Sequence, residues 1–403
     1  MHIDHLSLTN FRAFSRLDLD VPRRVLLVGD NAQGKTTVLE AIYFLATFTS
    51  FHAPSDRQLI NFLLTDEALV VARLVAEFER KKKKHTLEVR LIQEINGSGQ
   101  TRLRKEILLD GSKKQVHDAL GAFNAVIFEP QMMRILEGAP EERRRYLNMA
   151  LAQVVPSYAR NLSDYQQALS QRNALLKLLA ERGGDQEQLA YWDGVISQHG
   201  AAIVHARIHA IEEIERQAVR VHDQLTNSAE VFRMDYQPAF DPLQQDASQY
   251  KLPLQVQSVR SGLSLDEIQA GFSQRLRQLR GEEIARGVTT IGPHRDELRI
   301  LCNGVDLGDF GSRGQLRTAL LSLKLAETGW MKEKSGDWPV LLLDEVLVEL
   351  DDQRRDDLQR YLAQGEQVLM TTTDLKLFQP LFVSSSALWQ VSAGKIEQQT
   401  QSQ

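Results

Sequence analysis

A short apolar run followed by a glycine-bounded loop constrains the fold of this chain more than any other feature. Residues 25–28 are Val-Leu-Leu-Val, and residues 29–36 match the pattern G-x-x-x-x-G-K-[ST]. Residues 37–46 then follow a helical pattern. Strand, loop and helix in this order predict a P-loop, because the glycines let successive backbone N–H groups face one concavity at the positive end of the helix. The alternative is an ordinary strand-to-helix turn, which the flanking strand and helix disfavour.

A P-loop predicts binding of a polyphosphate with Mg²⁺. Lys35 is expected to reach the β- and γ-phosphates and so to assist catalysis, and the Thr36 hydroxyl to bind Mg²⁺. Arg12, which is close in sequence to the P-loop strand, is a further candidate nucleotide contact. The candidate nucleotide ligands of the loop itself are Gly29, Asp30, Asn31, Ala32, Gln33, Gly34, Lys35, Thr36 and Thr37.

Two acidic residues follow a second apolar run. Residues 339–343 predict a buried strand, and Asp344 and Glu345 come directly after it. At the end of a strand, Asp344 is suited to bind Mg²⁺, and Glu345 to orient and deprotonate the attacking water. Residues 368–373 predict the next strand, which ends in polar side chains suited to sense a γ-phosphate. An Asp-Glu pair after a strand is common, so this prediction depends on the P-loop in the same chain.

The segment Gly311-Ser312-Arg313-Gly314-Gln315 opens a further predicted helix. Ser312 suits an N-cap, and the glycine allows a phosphate to approach the N–H groups of the first turn. A plain capped helix is the alternative. Because one P-loop needs no second phosphate-binding helix for one nucleotide, we expect Ser312, Gly314 and Gln315 to face the nucleotide of a second copy.

The basic residues are concentrated in one part of the chain, although the net charge of −5 gives no overall argument for nucleic-acid binding. Residues 80–114 contain eleven basic and four acidic residues, which gives +7 (11 − 4) and leaves −12 (−5 − 7) for the rest. Residues 70–78, 86–92 and 103–109 predict an antiparallel meander with turns at 81–84 and 96–99. The four lysines at 81–84 are either a solvated turn or a contact to a phosphate backbone, which requires charge but no sequence code.

Long amphipathic helices between residues 141 and 225, interrupted near Gly183 and Gly184, indicate a helical insertion. Residues 237–262 are typical of connecting chain, and a helix is predicted over 264–280. No apolar run approaches the ~18 residues of a membrane span, and no signal-peptide pattern is present. We therefore expect a soluble, cytoplasmic protein.

Neither cysteine nor histidine indicates a metal site at this level. Cys302 is the only cysteine and is expected to be a packed core thiol, with no internal disulfide and no cysteine-based metal site. His205 and His209 are four positions apart on a predicted helix, but no carboxylate companion is evident. Packed or solvated histidines are therefore favoured over a metal site.

These segments, in this order, resemble the RecF family of bacterial replication and repair ATPases. The resemblance runs from the first predicted strand to the last. The matching segments are 8–12 (Leu-Thr-Asn-Phe-Arg), 31–36 with 39–43, 171–173 (Gln-Arg-Asn), 292–296 (Gly-Pro-His-Arg-Asp), 311–318, 323–327 and 341–351.

The resemblance implies an α/β P-loop ABC-type ATPase head, related to SMC proteins, with an antiparallel β meander and a helical insertion domain. The corresponding boundaries are 1–135 with 285–403 for the head and 136–284 for the insertion. The resemblance also implies an ATP-dependent homodimer, in which Ser312 and Gly314 of one copy meet the γ-phosphate held by Lys35 of the other. It further implies binding to single-stranded and gapped DNA, and cooperation with RecR and RecO in loading RecA.

Four departures from the family pattern are evident. Val348 stands where the family commonly has Ser, Glu345 replaces a frequent Asp, and residues 130–132 are Pro-Gln-Met where Pro-Glu-Asp is usual. Residues 51–53, Phe-His-Ala, lack the His-Arg often found there. Gln131 is nevertheless suited to act as the Q-loop ligand of Mg²⁺ and nucleotide.

Two other functions are compatible with a P-loop: an ABC subunit that drives membrane transport, and a P-loop kinase or GTPase. The separation of 309 positions between Lys35 and Asp344 (344 − 35) is larger than we expect for a transporter subunit. No N-K-x-D guanine motif is present, and a kinase or GTPase would leave the helix start at Ser312 unexplained. The sequence therefore favours a DNA-binding ATPase that acts as a conformational switch.

Overall fold

The structure is a computed structural model that describes residues 1–64, 67–95, 100–243, 260–392 and 394–399. The predicted turn at 96–99 lies outside the described residues, as does most of the predicted connection at 237–262. Among the described residues, no helix combines the length and the apolar character needed to cross a lipid bilayer.

The strands of the described ranges, numbered in chain order, are β1 (His2–Phe11), β2 (Phe14–Asp20), β3 (Arg24–Val28), β4 (Leu69–Arg80), β5 (Lys83–Ile95), β6 (Thr101–Leu109), β7 (Ser112–Lys114), β8 (Ala125–Phe128), β9 (Phe232–Gln237), β10 (Glu297–Cys302), β11 (Val305–Asp306), β12 (Val340–Asp344), β13 (Val368–Thr372), β14 (Ala387–Ser392) and β15 (Lys395–Gln399).

The α-helices of the same ranges are α1 (Lys35–Thr47), α2 (Val116–Ala119), α3 (Arg134–Glu137), α4 (Pro140–Val154), α5 (Tyr158–Arg182), α6 (Leu189–Thr226), α7 (Leu265–Arg286), α8 (Leu307–Phe310), α9 (Arg313–Ser335), α10 (Asp352–Leu362) and α11 (Pro380–Ser384).

The chain divides into two compact units, one formed by residues 1–132 and 327–403 and the other by residues 133–326. The boundary near residue 326 falls inside α9. The predicted boundaries assigned residues 285–326 to the head, whereas the structure groups them with the helical unit. The reason is strand pairing: β10 pairs with β9 along its whole length, from Glu297 opposite Gln237 to Cys302 opposite Phe232. Whether the predicted segments, 1–135 with 285–403 and 136–284, fold as separate domains stays a prediction.

The first unit contains a mostly parallel sheet in the order β15-β14-β3-β13-β12-β8. β3, β13, β12 and β8 are parallel neighbours, which places the carboxyl ends of β3 and β12 at the same edge of the sheet. β12 is fully buried, as expected for a parallel strand covered on both faces. The loops that follow β3 and β12 therefore meet in space although they are far apart in sequence.

The second sheet of the first unit is antiparallel, in the order β2-β1-β4-β5-β6-β7. α1 contacts β4 and β5 of this sheet and also β8, β12 and β13 of the parallel sheet. Its buried apolar residues, including Val38, Leu39, Ile42 and Leu45, join both sheets into one hydrophobic core. The helix that follows the P-loop is thus held from both sides.

The second unit is built mainly from α5, α6 and α7, which pack against one another, and from the small sheet β11-β10-β9. Arg172 of α5 is fully buried and forms ion pairs with Asp193 and Glu283. Its guanidinium also donates to Thr289 Oγ1 at 2.8 Å. The Gln-Arg-Asn segment therefore joins α5, α6 and α7 through one buried charge network, in which every charge has an opposite partner.

The Gly-Pro-His-Arg-Asp segment has a similar packing role. Asp296 is buried and accepts hydrogen bonds from Arg207 at 2.6 Å, from Tyr236 Oη at 2.5 Å and from Ala239 N at 2.9 Å. Burial lowers the pKa of His294 in the same segment to about 4. His294 is consequently neutral at physiological pH, with Tyr165 Oη 2.7 Å from its Nδ1.

Most of the predicted elements are confirmed, and the differences have local causes. The P-loop helix begins at Lys35 and not at 37, because Gly34 with φ 109° already acts as its N-cap. The predicted lysine turn at 81–84 is shorter: only Lys81 and Lys82 form it, with φ of 49° and 63°, while Lys83 and Lys84 belong to β5. β9 was missed, since its alternating residues lie next to the polar connection.

Gly292 occupies a conformation and a space that suit glycine only. Its φ is 121°, and a Cβ there would lie 2.4 Å from Tyr165 Oη and 2.9 Å from Phe272 Cζ. We expect Gly292→Ala to lower the free energy of unfolding by about 2–4 kcal/mol, because backbone strain and overpacking add. The shift of the urea midpoint at constant m value measures this change.

Gly281→Ala is the matched control. Gly281 lies inside α7, and a Cβ there would meet nothing within 4 Å. This variant should gain up to about 1 kcal/mol from helix propensity. If the two variants had the same stability, the proposed packing around Gly292 would be wrong.

Candidate nucleotide-binding site

The P-loop connects β3 to α1 and depends on a close approach of backbone to backbone. At Gly29, with φ 158°, a Cβ would lie 2.3 Å from the carbonyl oxygen of Val391 in β14. Further along the loop, Gly394 N donates to Gln33 O at 3.2 Å. Ala32 has φ 65°. The loop is therefore fixed by β14 and by the turn after it, and Asp30, Asn31 and Ala32 remain exposed to solvent.

The N-cap of α1 makes no side-chain hydrogen bond to the backbone N–H groups of the first turn. Gly34 provides no side-chain cap, and no acidic residue lies in the first turn. No acidic residue of α1 itself therefore neutralises the partial positive charge of the helix end. Thr37 is partly buried in this first turn. A helix end of this type binds anions.

Lys35 is buried, with 4% of its side chain exposed, and points back into the loop. Its Nζ donates to Gly29 O at 2.5 Å and to Asp30 O at 3.2 Å. Its third neighbour is Glu345 Oε1, at 3.1 Å. The ammonium group thus joins the P-loop to the acidic pair after β12.

Thr36 and Asp344 are also in direct contact. Thr36 Oγ1 lies 2.9 and 3.0 Å from the two carboxylate oxygens of Asp344. Thr371 Oγ1, at the end of β13, donates to Asp344 Oδ1 at 2.7 Å. Hydroxyl and carboxylate oxygens are the ligands that Mg²⁺ prefers, so Thr36 and Asp344 fit the predicted metal.

Glu345 has an unusual backbone conformation for a residue with a side chain. Its φ is 51°, in the left-handed region, and its N–H donates to Thr371 Oγ1 at 3.0 Å. Thr371 thereby contacts the carboxylate of Asp344 and the backbone N–H of Glu345. Left-handed conformations of this kind are concentrated at functional sites.

Arg12 contacts the helix that follows the P-loop. Its guanidinium donates to both carboxylate oxygens of Glu40, at 2.8 and 2.6 Å, and to Gln58 O at 3.1 Å. Glu40 is buried in α1 and also accepts from Ser50 Oγ at 2.5 Å. Arg12 therefore joins the β1–β2 turn to the P-loop helix, and its contact with nucleotide stays a prediction.

Ser312 caps α9 through its own side chain. Ser312 Oγ accepts from Gln315 N at 3.3 Å, and Ser312 N donates to Gln315 Oε1 at 3.1 Å. This reciprocal pair is a capping box. Ser312 and Gly314 are exposed. The capped helix that the sequence left as an alternative is thus present, and the phosphate contact in a second copy stays a prediction.

Gln131 lies in a short 3₁₀ helix after β8, the strand next to β12. Its side chain is exposed and makes no hydrogen bond to Thr36 or Asp344 within the part of the chain that the structure describes. Its assignment as a ligand of Mg²⁺ is therefore a prediction without a supporting contact.

Comparison with known proteins decides the family. A family model described as the RecF/RecN/SMC N-terminal domain matches residues 2–394. The DNA replication and repair protein RecF of Roseiflexus castenholzii is 38% identical over 408 residues, which cover 98% of this chain and 99% of that protein. This chain belongs to the RecF family. The RecF protein of Herpetosiphon aurantiacus is 36% identical, with the same coverage of 98% and 99%.

Solved structures agree with the RecF assignment. The recombination mediator protein RecF with ATP, from the RecFOR pathway, superposes with a TM-score of 0.82 at 28% identity, covering 99% of this chain and 98% of that chain. An SMC head bound to a winged-helix domain of ScpA, at 13% identity and a TM-score of 0.51, shares the fold. The predicted fold class, an ABC-type head with a β meander and a helical part, is confirmed.

The structure locates two of the residues that differ from the RecF-family pattern. Val348 is 53% exposed in the 3₁₀ helix that follows Glu345, so its side chain does not replace a buried hydroxyl. The carboxylate of Glu345 contacts Lys35 Nζ at 3.1 Å. The side chain of Asp is shorter and would place its carboxylate farther from Lys35.

Sequence reasoning missed Thr371 as the residue that orients Asp344 and Glu345, and Glu40 as the partner of Arg12. Thr371 is one of three consecutive threonines, all of which the sequence analysis treated as candidates for contact with the γ-phosphate. No motif distinguishes one of them from the others. The one available signal was the alternation of strand residues, which places Thr371 and Thr372 on opposite faces of the sheet. For Glu40, a carboxylate on an otherwise apolar helix face was the signal.

Proposed function

We propose that this RecF-family chain is an ATP-dependent DNA-binding protein of replication and recombinational repair. Two copies close into a homodimer on ATP and reopen after hydrolysis, so the output is a shift between two states and not chemistry on DNA. The proposal includes binding to single-stranded and gapped DNA in the cytoplasm, and work with RecR and RecO to load a recombinase. The single observation that carries it is the convergence of Lys35, Thr36, Asp344 and Glu345 at one sheet edge.

The roles of these residues follow from their contacts. Thr36 and Asp344 would hold Mg²⁺, which neutralises phosphate charge. Lys35 would exchange its present partners, the Gly29 and Asp30 carbonyls and Glu345, for phosphate oxygens. Glu345, released from Lys35, would then accept the proton of the attacking water. The ATPase activity is expected to be slow, because the site is completed only in the dimer.

Lysines at one end of the meander support the DNA-binding part of the proposal. The side chains of Lys81, Lys82, Lys83 and Lys84 are exposed at the β4–β5 turn. The turn between β6 and β7 lies at the same end of the sheet, since Asp110 N donates to Thr86 O of β5. Lys113 and Lys114 follow that turn and are also exposed. A strip of lysines suits a phosphate backbone, which is read by charge and not by base sequence.

The first prediction concerns the ATP-dependent dimer. We expect ATP with Mg²⁺ to raise the mass measured by sedimentation velocity from monomer to dimer. Lys35→Ala should abolish the change because the phosphates lose their cation, and Glu345→Gln should hold the dimer by preventing hydrolysis. A mass that is independent of nucleotide in all three proteins would refute the switch.

Ser312→Asp separates capping from phosphate binding. Asp is as good an N-cap as Ser, so α9 should keep its stability. A carboxylate at this position would repel the γ-phosphate of a second copy, and the ATP-dependent dimer should be lost. Retention of the dimer by a folded Ser312→Asp protein would leave Ser312 with the capping role alone.

Thr371 is expected to position the two acids. Thr371→Val keeps the shape of the side chain but removes the hydroxyl that contacts Asp344 and Glu345. We expect the ATP turnover number to fall by about 10–100-fold, at a nearly unchanged Michaelis constant, in the range typical of catalytic groups that lose their orientation. Thr372→Val is the control, because Thr372 Oγ1, among the described residues, bonds only to the backbone of residue 374. Equal effects of both changes would argue against the positioning role.

The meander lysines are tested by salt dependence. Replacing Lys81, Lys82, Lys83 and Lys84 with Ser should weaken binding to gapped duplex and lower the slope of log affinity against log salt by up to about 3, since each phosphate contact contributes about 0.7–0.9. The control replaces four exposed arginines of the helical unit, at 182, 275, 277 and 286, with Ser. An unchanged slope in the lysine variant would mean that these side chains form only a solvated turn.

A further inference from the structure

Three metal-ligating side chains of different types converge in the helical unit, apart from the P-loop. They are His222 in the last turns of α6, Glu230 in the segment before β9, and Cys302 at the end of β10. One ligand atom from each lies within 4.8 Å of the other two. His222 and Cys302 are 1% and 3% exposed, and Glu230 is partly exposed, which leaves a route for an ion from solvent.

The fold holds these side chains in position before any ion binds. Phe232 pairs with Cys302 across the β9–β10 ladder, so Glu230, two residues before Phe232, lies on the same face as Cys302. Asn303 binds the backbone of Val231 twice, through its N–H and its side-chain oxygen, at 2.9 Å each. The segment that carries Glu230 is therefore fixed to the end of β10.

The hydrogen bonds of His222 favour a cation next to its Nε2. Ser322 Oγ donates to Thr318 O at 2.8 Å and lies 3.0 Å from His222 Nδ1. Because Ser322 has one proton and the carbonyl has none, both contacts are satisfied only if Nδ1 carries the proton. His222 Nε2 then faces Glu230 Oε2 at 3.2 Å with a lone pair. Two acceptors in contact require either a shared proton or a metal ion between them.

Glu230 presents its two carboxylate oxygens to different partners. Oε1 accepts from Gln315 Nε2 at 3.0 Å. Oε2 is the oxygen that faces His222 Nε2, and the ligand atom of Cys302 lies within 4.8 Å of those of His222 and Glu230.

We propose that His222 Nε2, Glu230 Oε2 and Cys302 Sγ bind one divalent transition-metal ion of the zinc class, with the Cys302 thiol releasing its proton to solvent. Zinc bonds of ~2.0–2.2 Å to nitrogen and oxygen at a tetrahedral angle place the two atoms about 3.3–3.5 Å apart, slightly more than the observed 3.2 Å. Ser322 on His222 and Gln315 on Glu230 are the outer partners that metal ligands require for orientation. The fourth position is left to water.

This set of ligands is invisible to sequence spacing. The single cysteine led to the expectation that no cysteine-based metal site forms, because the common sequence patterns use cysteine pairs. The proposed site would contradict that expectation. A mixed site needs only one thiolate, and here its three ligands come from a helix, a loop and a strand. Mixed nitrogen, oxygen and sulfur ligands favour zinc over Mg²⁺, which takes oxygen alone.

Cobalt is the probe for the site. The metal-free full chain is titrated with Co²⁺ in excess Mg²⁺, which occupies oxygen-only acidic sites. The background carries His209→Gln, because His205 Nε2 and His209 Nε2 lie 3.2 Å apart and can bind the same ions. We expect one Co²⁺ per chain and a thiolate-to-cobalt absorption band. Cys302 is the only cysteine, so this band reports the proposed site alone.

The variants decide between a metal and a proton. Cys302→Ser should lose the band, Glu230→Gln should weaken binding, and Zn²⁺ should raise the melting temperature of the parent but not of either variant. Ser322→Ala keeps all three ligands and should bind about tenfold more weakly, because the outer partner is lost. A parent chain that shows neither the band nor retained metal contains a protonated His222 paired with Glu230, and the proposal fails. The measurement uses neither nucleotide nor DNA, so its outcome is independent of the proposed function.

Discussion

The contact of Thr36 and Lys35 with Asp344 and Glu345 is the interaction on which the rest of this structure depends. It joins residue pairs 308 (344 − 36) and 310 (345 − 35) positions apart, and only the parallel order β3-β13-β12 makes it possible. Because parallel strands end at one edge, the P-loop and the acidic pair meet without any long-range feature in the sequence. The middle strand, β13, contributes Thr371, which contacts both acids.

The two helix starts singled out by the sequence differ in what they offer a ligand. α1 begins at a glycine without a side-chain cap, so its N–H groups and its positive end are available. α9 begins with a capping box in which Ser312 and Gln315 satisfy each other. Gln315 also binds Glu230, which connects the start of α9 to the cluster that includes His222 and Cys302. The start of α9 is thus already oriented by its own unit.

Several segments that carry the family resemblance have a role in packing. Arg172 and Asp296 are buried charges, each paired with opposite charges on other elements of the helical unit. An unpaired charge at either position would be strongly destabilising, so the partners must be kept together. These pairs fix the relative position of α5, α6 and α7 and of the β9–β10 ladder. A resemblance alone does not reveal whether a motif binds a ligand or holds the fold.

The sequence by itself determined the elements whose signal is local: the P-loop, the apolar strands β3, β12 and β13, the long helices and the N-cap of α9. It also predicted that Lys35, Thr36, Asp344 and Glu345 act together, because their chemistry is matched. Only the tertiary structure decided that Arg12 pairs with Glu40, that Thr371 orients the acids, and that residues 285–326 group with the helical unit. The physical reason is that periodicity and capping act between neighbours in the chain, whereas ion pairs and strand pairing depend on which distant segments the fold brings together.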